Sequence, residues 1–466
     1  MGLRNRALQG GAIMVIRQGV GTLLSLVGVL VITRLVGPTQ YGLYASAFGI
    51  VCFCCALGNW GIDVYLLRKA TEPEIEEYQQ GFTLLFAFSS LLTLGLLFGH
   101  NLIAEALHLK AMAPILTFLA LGLPFSLMNL PSVVRLDRDL NFKQVAFNEL
   151  TSQLLYYVVA LPLAFADMGA WAPAAGWVTQ QFVLFALSAW SAKMPFGLHW
   201  DKKLIQKMLT YGFAYSGSLW VWQIRTLINP VLVGRFAGAE AVAYVALAIR
   251  ITEVLAFAKN ATWRIALAAL AKLQSEPHRL RRAIEEGMGL QAMAVGLPLS
   301  LFALAAPILL PLVFGERWMP MLAVFPWIAL GYLTNAMFNL HCSVLYLLQK
   351  NKLVTQFHLL HVALFVAGAC FFVPQFGLVG YGYGELLALL SYPLIHYFLK
   401  NAIGAPEYTS ALVWYSISVA MLIATALPEP LQVLALFLPL LPFGFPAQRE
   451  LLGEYARILR PQRGTS

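Results

Sequence analysis

The stretch RLVGPTQYGLYASA at residues 34–47 has a second version in the same chain, RFAGAEAVAYVALA at residues 235–248. Aligned without a gap, the copies lie 201 residues apart and share Arg34/Arg235, Gly37/Gly238, Ala45/Ala246 and Ala47/Ala248. Each copy joins two long apolar segments. The repeat therefore predicts a chain built from two similar halves, although a short turn between helices favours arginine, glycine and small residues in any case.

The composition is that of a membrane protein. Of 466 residues, 59% are hydrophobic and 11% are charged, against about 25% charged in an average soluble domain. Apolar runs of about 20 residues, enough to cross a ~30 Å hydrocarbon core, recur along the whole chain. We predict about fourteen membrane helices, or twelve if the weak last pair is left out, roughly at 11–33, 41–67, 81–104, 112–134, 150–167, 171–192, 209–234, 241–258, 287–314, 320–348, 354–374, 377–399, 408–427 and 430–446.

The distribution of basic residues predicts the orientation, because short loops rich in Lys and Arg stay in the cytoplasm. With the N-terminus inside, most of the 31 Lys and Arg residues fall on cytoplasmic segments. Four fall outside: Arg34, Lys110, Arg235 and Arg317. We expect a multi-pass protein of the inner (cytoplasmic) membrane with both termini in the cytoplasm. The net charge of +9 is then mainly a topology signal with some attraction to membrane lipid, and nucleic acid is not an expected partner.

The repeat also predicts the domain organisation. Six predicted helices separate the two copies, an even number, so the two halves run parallel across the membrane. Parallel repeats are one architecture in which transporters place a substrate path between halves. We expect an N-terminal six-helix bundle at 1–200, a C-terminal six-helix bundle at 201–404, a terminal helix pair at 405–448 and a cytoplasmic tail at 449–466.

Five motifs in order along the chain carry a family resemblance. They are RLVGPTQYGLY (34–44), RDLNFK (138–143), YGFAYS (211–216), VGRFAGAEAVAYVALAIR (233–250) and LPLVFGERW (310–318). Together they resemble the polysaccharide flippase family, the Wzx-like branch of the multidrug/oligosaccharidyl-lipid/polysaccharide exporter superfamily. The sequence departs from that family at Asn229, where an acidic residue is frequent, and at Ala243, where the second copy usually has the glycine seen at Gly42.

The resemblance implies a fold and a function. The fold is all-α and polytopic, with two six-helix bundles around a central cavity plus a C-terminal helix pair. The function is to flip a polyprenyl-(pyro)phosphate-linked oligosaccharide, of O-antigen or exopolysaccharide type, to the outer leaflet by alternating access. Polysaccharide polymerase and glycosyltransferases are the implied partners. Such a substrate has a large anionic head, so its passage should carry positive charge within the membrane.

Three arginines fit that requirement, because Arg17, Arg225 and Arg250 lie within predicted membrane helices. A charged side chain at bilayer depth costs at least ~2.5–3.5 kcal/mol unless it faces water or a partner. The planar guanidinium binds phosphate through two hydrogen bonds and keeps its charge. We therefore predict that these three residues contact the substrate's phosphate groups.

Each arginine also has a structural explanation. Arg17 can extend to the cytoplasmic head groups, and Arg250 can pair with Glu253 one turn along the helix. Arg225 can form local hydrogen bonds beside neighbouring amides, Asn229 among them.

The neighbourhood of Arg225 supplies the other predicted substrate contacts. Trp220 and Trp222 can stack on sugar rings, with helix or lipid packing as the alternative, and Asn229 completes the predicted substrate-binding set.

Acidic residues at depth are candidates for coupling transport to an ion gradient. The candidates are Asp63, Glu149, Glu253 and Glu385, with H⁺ or Na⁺ as the coupling ion, and Asp63 and Glu149 have an interfacial position as their alternative. No other cofactor and no metal site are expected.

Other functional classes fit the sequence less well. A multidrug or organic-cation antiporter of the same superfamily would need carboxylates at mid-depth, where this chain has arginines. An enzyme would need a catalytic constellation and usually a large outward loop, whereas the longest outer loop, around 100–111, has about a dozen residues. A scaffold leaves the membrane arginines unexplained. The sequence therefore predicts a transporter rather than an enzyme.

Overall fold

The protein is described by a computed structural model. It describes residues 3–69, 71–194, 197–257 and 276–444 and the single positions 259, 270, 449 and 453. Every regular element in these segments is a helix, which confirms the predicted all-α class. The chain forms two compact units.

Unit 1 consists of Met1–Leu247, Pro311–Trp318 and Val366–Tyr381. Its helices are α1 (Leu3–Val36), α2 (Pro38–Asn59), α3 (Ile62–Arg68), α4 (Ile75–Ala106), α5 (Ala113–Ala120), α6 (Leu123–Met128), α7 (Leu130–Arg138), α8 (Phe142–Phe165), α9 (Trp171–Ser191), α10 (Lys202–Leu227) and most of α11 (Gly234–Leu255). A π-helical turn, Ile228–Val233, joins α10 to α11.

The core of unit 1 lies where α2 packs on α5. Val51, Met112 and Leu116 are completely buried there. Helix α1 lies close to α8, since a Cβ atom on Gly28 would fall 1.8 Å from the Tyr157 ring. Small residues at such positions let two helices approach closely within a membrane.

Helix α2 ends at a sharp break in the backbone. Trp60 (φ 48°) and Gly61 (φ 67°) both adopt the left-handed conformation, and α3 then begins at Ile62. The break brings a backbone carbonyl against α10, because a Cβ on Gly212 would lie 1.9 Å from the Trp60 oxygen. The local backbone thus accounts for the close packing of α10 on α2.

Unit 2 consists of Ala248–Leu310, Met319–Phe365 and Gly382–Ser466. Unit 2 contains the end of α11 and most of the helices that follow, which are α12 (Pro277–Val313), the 3₁₀ helix Glu316–Ala323, α13 (Phe325–Leu347), α14 (Asn351–Phe376), α15 (Leu378–Ala388), α16 (Tyr392–Ile403), α17 (Thr409–Ala424), α18 (Glu429–Ala435) and a 3₁₀ turn, Leu438–Gly444. The last residues of α12, the first of the 3₁₀ helix Glu316–Ala323, the end of α14 and the start of α15 belong to unit 1. Met288 of α12, Leu340 and Val344 of α13 and Leu399 of α16 meet in its core.

Many of these helices can span a membrane. Eight in the described residues are long and apolar enough, or nine if the bent pair Glu316–Ala323 and Phe325–Leu347 forms one span. Helices α8 and α9, with 24 and 21 residues, are also long enough at ~1.5 Å per residue, but they are not among the eight. The count of fourteen stays a prediction, and the predicted tail at 449–466 lies outside the described residues apart from 449 and 453.

Candidate functional site

The two copies of the repeat share an unusual backbone conformation. Gly37 has φ 77° and ψ 166°, and its equivalent Gly238 has φ 84° and ψ 178°. This region is populated essentially by glycine. Each glycine lies at the bend between two helical segments, so the repeat found in the sequence is present in the backbone geometry as well.

The repeated arginines make equivalent contacts with helix ends. Arg34 Nη1 donates to the carbonyl oxygens of Leu312 (2.8 Å) and Val313 (3.2 Å), the last residues of α12. Arg235 Nη1 donates to the carbonyl of Ala106, the last residue of α4. The last carbonyls of a helix have no partner within it and carry partial negative charge. Each arginine therefore caps a long helix.

The two turns touch at what we call the repeat contact, formed by Thr39, Gly42, Ala239 and Glu240. Thr39 Oγ1 donates to Glu240 Oε1 at 2.6 Å. A Cβ on Gly42 would lie 1.8 Å from the Ala239 oxygen, so glycine is required for this approach. The equivalent of Gly42 is Ala243, which is completely buried.

Arg17, the first predicted substrate contact, forms an ion pair within unit 1. Its Nε atom lies 2.8 Å from Glu149 Oε2, and the two side chains are 24% and 26% exposed. Glu149 belongs to α8, so this pair joins α1 to α8. The remaining exposed quarter of the Arg17 side chain is surface from which a phosphate group could be bound.

Arg225 lies on α10 beside two tryptophans. Its guanidinium carbon is 5.3 Å from the centroid of the Trp222 ring, a cation–π distance. Trp220 Nε1 donates to the Ala56 carbonyl at 3.0 Å, and its ring lies 4.7 Å from that of Trp60. Trp222 is thus the aromatic partner of Arg225, whereas Trp220 packs against the end of α2.

Asn229, the third residue type predicted to contact substrate, lies in the π-helical turn. Its Nδ2 donates to the Val242 carbonyl at 3.1 Å, and the residue is 8% exposed. The amide ties the turn to α11 across the bend at Gly238.

Unit 2 contains a connected group of polar side chains, which lie on α11, on α13 and at Lys259, four residues after the end of α11. Arg250 Nη1 lies 3.3 Å from Glu253 Oε2, the pairing allowed by their spacing. The Tyr332 hydroxyl donates to the other carboxylate oxygen, Oε1, at 3.3 Å. The Lys259 ammonium lies 5.5 Å from the Tyr332 ring centroid and donates to Asn335 Oδ1.

The sequence analysis did not single out Lys259. It follows a predicted span, which suggests a cytoplasmic loop, yet it contacts Asn335, the eleventh residue of α13. Asn335 also donates to the Tyr392 hydroxyl at 3.3 Å. An asparagine within an otherwise apolar helix was the sequence signal that could have indicated a polar partner.

The remaining acidic candidates lie in separate units. Glu385 in unit 2 is 2% exposed, and a Cβ on Gly331 would lie 3.1 Å from its Oε2 atom, so the carboxylate packs closely on α13. Asp63 in unit 1 lies in the first turn of α3, directly after the left-handed break at Trp60 and Gly61.

One further polar group in unit 2 was not predicted. The Tyr408 hydroxyl lies 2.7 Å from His341 Nε2 and 2.7 Å from His396 Nδ1. A tyrosine hydroxyl has one proton, so it donates to one histidine and accepts from the other. These bonds fix the link before α17 to α13 and α16.

The fold is that of an all-helical protein with at least eight helices long and apolar enough to span a membrane in its described residues. The chain belongs to the polysaccharide biosynthesis protein family, whose model matches residues 31–323. This confirms the resemblance to Wzx-like flippases found in the sequence motifs.

Two curated relatives are similar in sequence. The chain is 25% identical over 318 residues to the succinoglycan biosynthesis transport protein ExoT of Rhizobium meliloti (strain 1021), covering 66% of this chain and 62% of ExoT. The match thus spans less than two thirds of that relative. It is 20% identical over 411 residues to the lipopolysaccharide biosynthesis protein WzxC of Escherichia coli (strain K12), covering 87% of this chain and 83% of WzxC.

Solved structures share the fold. The lipid II flippase MurJ, in an inward closed conformation, aligns with a TM-score of 0.74 and 13% identity over 95% of this chain and 98% of MurJ. A multidrug resistance MATE family transporter of the MOP superfamily, in an inward-facing conformation, aligns with a TM-score of 0.57 and 15% identity over 87% of this chain and 95% of the transporter. At these identities the likeness establishes the fold.

Proposed function

We propose that this protein is a flippase that moves a polyprenyl-(pyro)phosphate-linked oligosaccharide repeat unit, of O-antigen or exopolysaccharide type, from the inner to the outer leaflet. Its family, together with relatives named for succinoglycan transport and lipopolysaccharide biosynthesis, supports this class of substrate. The observation that carries the proposal is a set of cations on membrane helices, Arg17, Arg225 and Arg250, to which we add Lys259.

These cations suit a phosphate-bearing head. Arg225 is held against the Trp222 ring, and Lys259 is held by the neutral groups of Asn335 and Tyr332. A phosphate group binds such cations through charge-assisted hydrogen bonds. A charged side chain on a membrane helix costs free energy unless it faces water or a partner.

The alternative is a multidrug antiporter, which shares the fold. An organic cation needs an available carboxylate. Glu149 and Glu253 each lie within ion-pair distance of an arginine, at 2.8 Å and 3.3 Å. These pairs favour the anionic substrate.

We propose alternating access between halves formed by residues 1–200 and 201–404 as the transport mechanism. The repeat contact supports it, because Thr39 and Glu240 join equivalent turns of the two halves. On the predicted topology these turns face outward. Release of substrate on that side then requires the repeat contact to separate.

The coupling ion is proposed to be H⁺ or Na⁺, with Glu385 as its site, Glu253 and Asp63 being the other candidates. Glu385 is 2% exposed on a membrane helix. Carboxylates in such positions mark ion pathways and proton relays in transporters.

We propose the inner membrane as the location, with both termini in the cytoplasm, and polysaccharide polymerase and glycosyltransferases as partners. An alkaline phosphatase fusion after residue 108 should be active and one after residue 142 inactive. The reverse pattern would overturn the orientation.

The function is tested with purified protein in vesicles that contain a fluorescent polyprenyl-pyrophosphate oligosaccharide. Flipping is measured as the fraction of the fluorescence that a quencher outside the vesicles removes. Arg225→Ala should abolish flipping, and Arg225→Lys should restore it in part, since the charge remains but the planar fork does not. Arg279→Ala is the control, because Arg279 is exposed and pairs with Glu276 one turn away. Normal flipping by Arg225→Ala would contradict the proposal.

A further inference from the structure

A cavity of about 690 Å³ in unit 1 lies between the start of α8 and the end of α9. This volume is within the range of small-molecule sites. Its wall has an apolar part along the last two turns of α9, namely Phe185, Ala186, Ala189 and Trp190. Its polar part lies at the helix ends, namely Gln144, Ser191 and Lys193. The cavity is therefore amphipathic along the helix direction.

The polar part is held in place by hydrogen bonds. Gln144 Nε2 donates to Asn148 Oδ1 at 2.9 Å and to Ser191 Oγ at 3.0 Å. Asn148 is 1% exposed, so the bonds anchor the rim to the buried face of α8. The amide of Gln144 and the hydroxyl of Ser191 are thus neutral polar groups with fixed positions.

Lys193 is the one charged residue among the described residues that line the cavity. It ends α9 in the left-handed conformation, with φ 47°, and Met194 N donates to the Ala189 carbonyl at 3.1 Å. Arg135 Nη1 donates to the Lys193 carbonyl at 3.3 Å. The backbone is therefore fixed from two sides, while the ammonium remains exposed at the rim.

The depth of these groups matches that of a lipid. Trp190 is 79% exposed near the end of a 21-residue membrane helix, where tryptophan is typical of the interface. Phe185 precedes Lys193 by eight residues, about 12 Å along the helix axis. The cation thus lies at the level of the head groups and the apolar wall at the level of the acyl chains.

We propose that this cavity binds one anionic glycerophospholipid, with its phosphodiester at Lys193 and an acyl chain along Ala186 and Ala189. Basic pockets between membrane helices recognise anionic head groups. With the Arg135 guanidinium bonded to the Lys193 carbonyl, this end of the cavity favours a lipid of net negative charge over a zwitterionic one, whose own cation would lie beside these cations. Lys143, exposed next to Gln144, adds positive charge at the same end.

Native mass spectrometry of the purified full chain tests this, with phosphatidylglycerol and phosphatidylcholine of identical acyl chains as probes. We expect phosphatidylglycerol to bind about fivefold more tightly. Lys193→Gln should remove that preference, and Lys193→Arg should keep it. Glutamine is chosen because a positive φ costs it about as much free energy as it costs lysine, so the substitution does not change the backbone strain at this position. Lys203→Gln, at an exposed lysine near the start of α10, is the control and should change nothing.

A second variant tests the acyl-chain wall. Ala186→Trp fills the cavity and should reduce binding of both lipids, and an unfolding midpoint in detergent equal to that of the wild type shows that the variant is correctly folded. Equal affinity for the two lipids, or an unchanged preference in Lys193→Gln, would overturn the proposal. Displacement of phosphatidylglycerol by undecaprenyl phosphate at lower concentration would also overturn it and assign the cavity to the transport substrate. None of these measurements depends on flipping, so the flippase proposal stands or fails separately.

Discussion

The hydroxyl of Thr39 donates a 2.6 Å hydrogen bond to the carboxylate of Glu240, and these residues occupy equivalent positions of the two copies, 201 residues apart. The repeat contact thus joins the two copies directly. In the proposed transport cycle it is the place where they separate.

A disulfide at the repeat contact should stop transport. In a chain whose five native cysteines are replaced by alanine, we expect Thr39→Cys with Glu240→Cys to cross-link under an oxidant, because the native side chains already touch. Flipping in vesicles should cease and return after reduction. Thr39→Cys by itself is the control, and normal flipping by the cross-linked protein would show that this contact stays closed through the cycle.

A methyl group at Gly42 should destabilise the protein. Gly42→Ala places its Cβ 1.8 Å from the Ala239 oxygen, and such overpacking costs about 1–3 kcal/mol. Gly95→Ala is a matched control, since a Cβ there meets nothing within 4 Å. Thermal unfolding in detergent should show a lower midpoint for the Gly42 variant and no loss for the control. Equal midpoints would mean that the turns can move apart at little cost.

Lys259→Met should slow flipping by about tenfold to a hundredfold, the effect of losing one hydrogen bond to a charged group. Lys259→Arg should retain most of the activity because the positive charge remains. The rate in vesicles is the measurement, with unfolding midpoints checked in parallel. If Lys259→Met flips normally, this lysine only holds Asn335 in place.

The ion pair of Arg17 and Glu149 allows structure and transport to be separated. Glu149→Gln leaves a half-exposed arginine without its carboxylate, at a cost of about 1 kcal/mol after allowance for solvent. The exchange Arg17→Glu with Glu149→Arg should recover stability but not flipping, since the cation has moved from α1 to α8. Recovery of both would indicate that Arg17 serves the fold alone.

Glu385→Gln should uncouple transport from its gradient. We expect the wild-type protein to flip its substrate faster in vesicles with a proton or sodium gradient than in vesicles without one. The variant should lose that difference while keeping its basal rate. Gln fits the same space beside Gly331. An unchanged response to both gradients would remove Glu385 as the coupling site.

Local sequence patterns predicted the features that depend on neighbouring residues. The helical class followed from the apolar runs, and the repeat identified Gly37 and Gly238 as equivalent positions, which share one backbone conformation in the structure. The pairing of Arg250 with Glu253 followed from a spacing of three residues, which places both on one side of a helix. In each case the deciding contacts lie within one turn or one element.

Contacts between distant segments could not be predicted in this way. Arg17 and Glu149 are far apart in sequence, and nothing in either local pattern identifies the other as a partner. Lys259 follows a long apolar run, so hydropathy assigns it to a loop, while its contact with Asn335 depends on how α11 packs beside α13. The helix caps made by Arg34 and Arg235 could not be predicted either, because each depends on how distant helices pack together.

Those two caps are exchanged between the copies. Arg34 belongs to the first copy and stabilises the end of α12, whereas Arg235 belongs to the second and stabilises the end of α4. A gene fragment that stopped near residue 200 would encode α4 without its arginine, and the complementary fragment would encode α12 without its own. Neither fragment should fold stably by itself, and co-expression of the two should restore folding of both. The two copies of the repeat would then have had to evolve together.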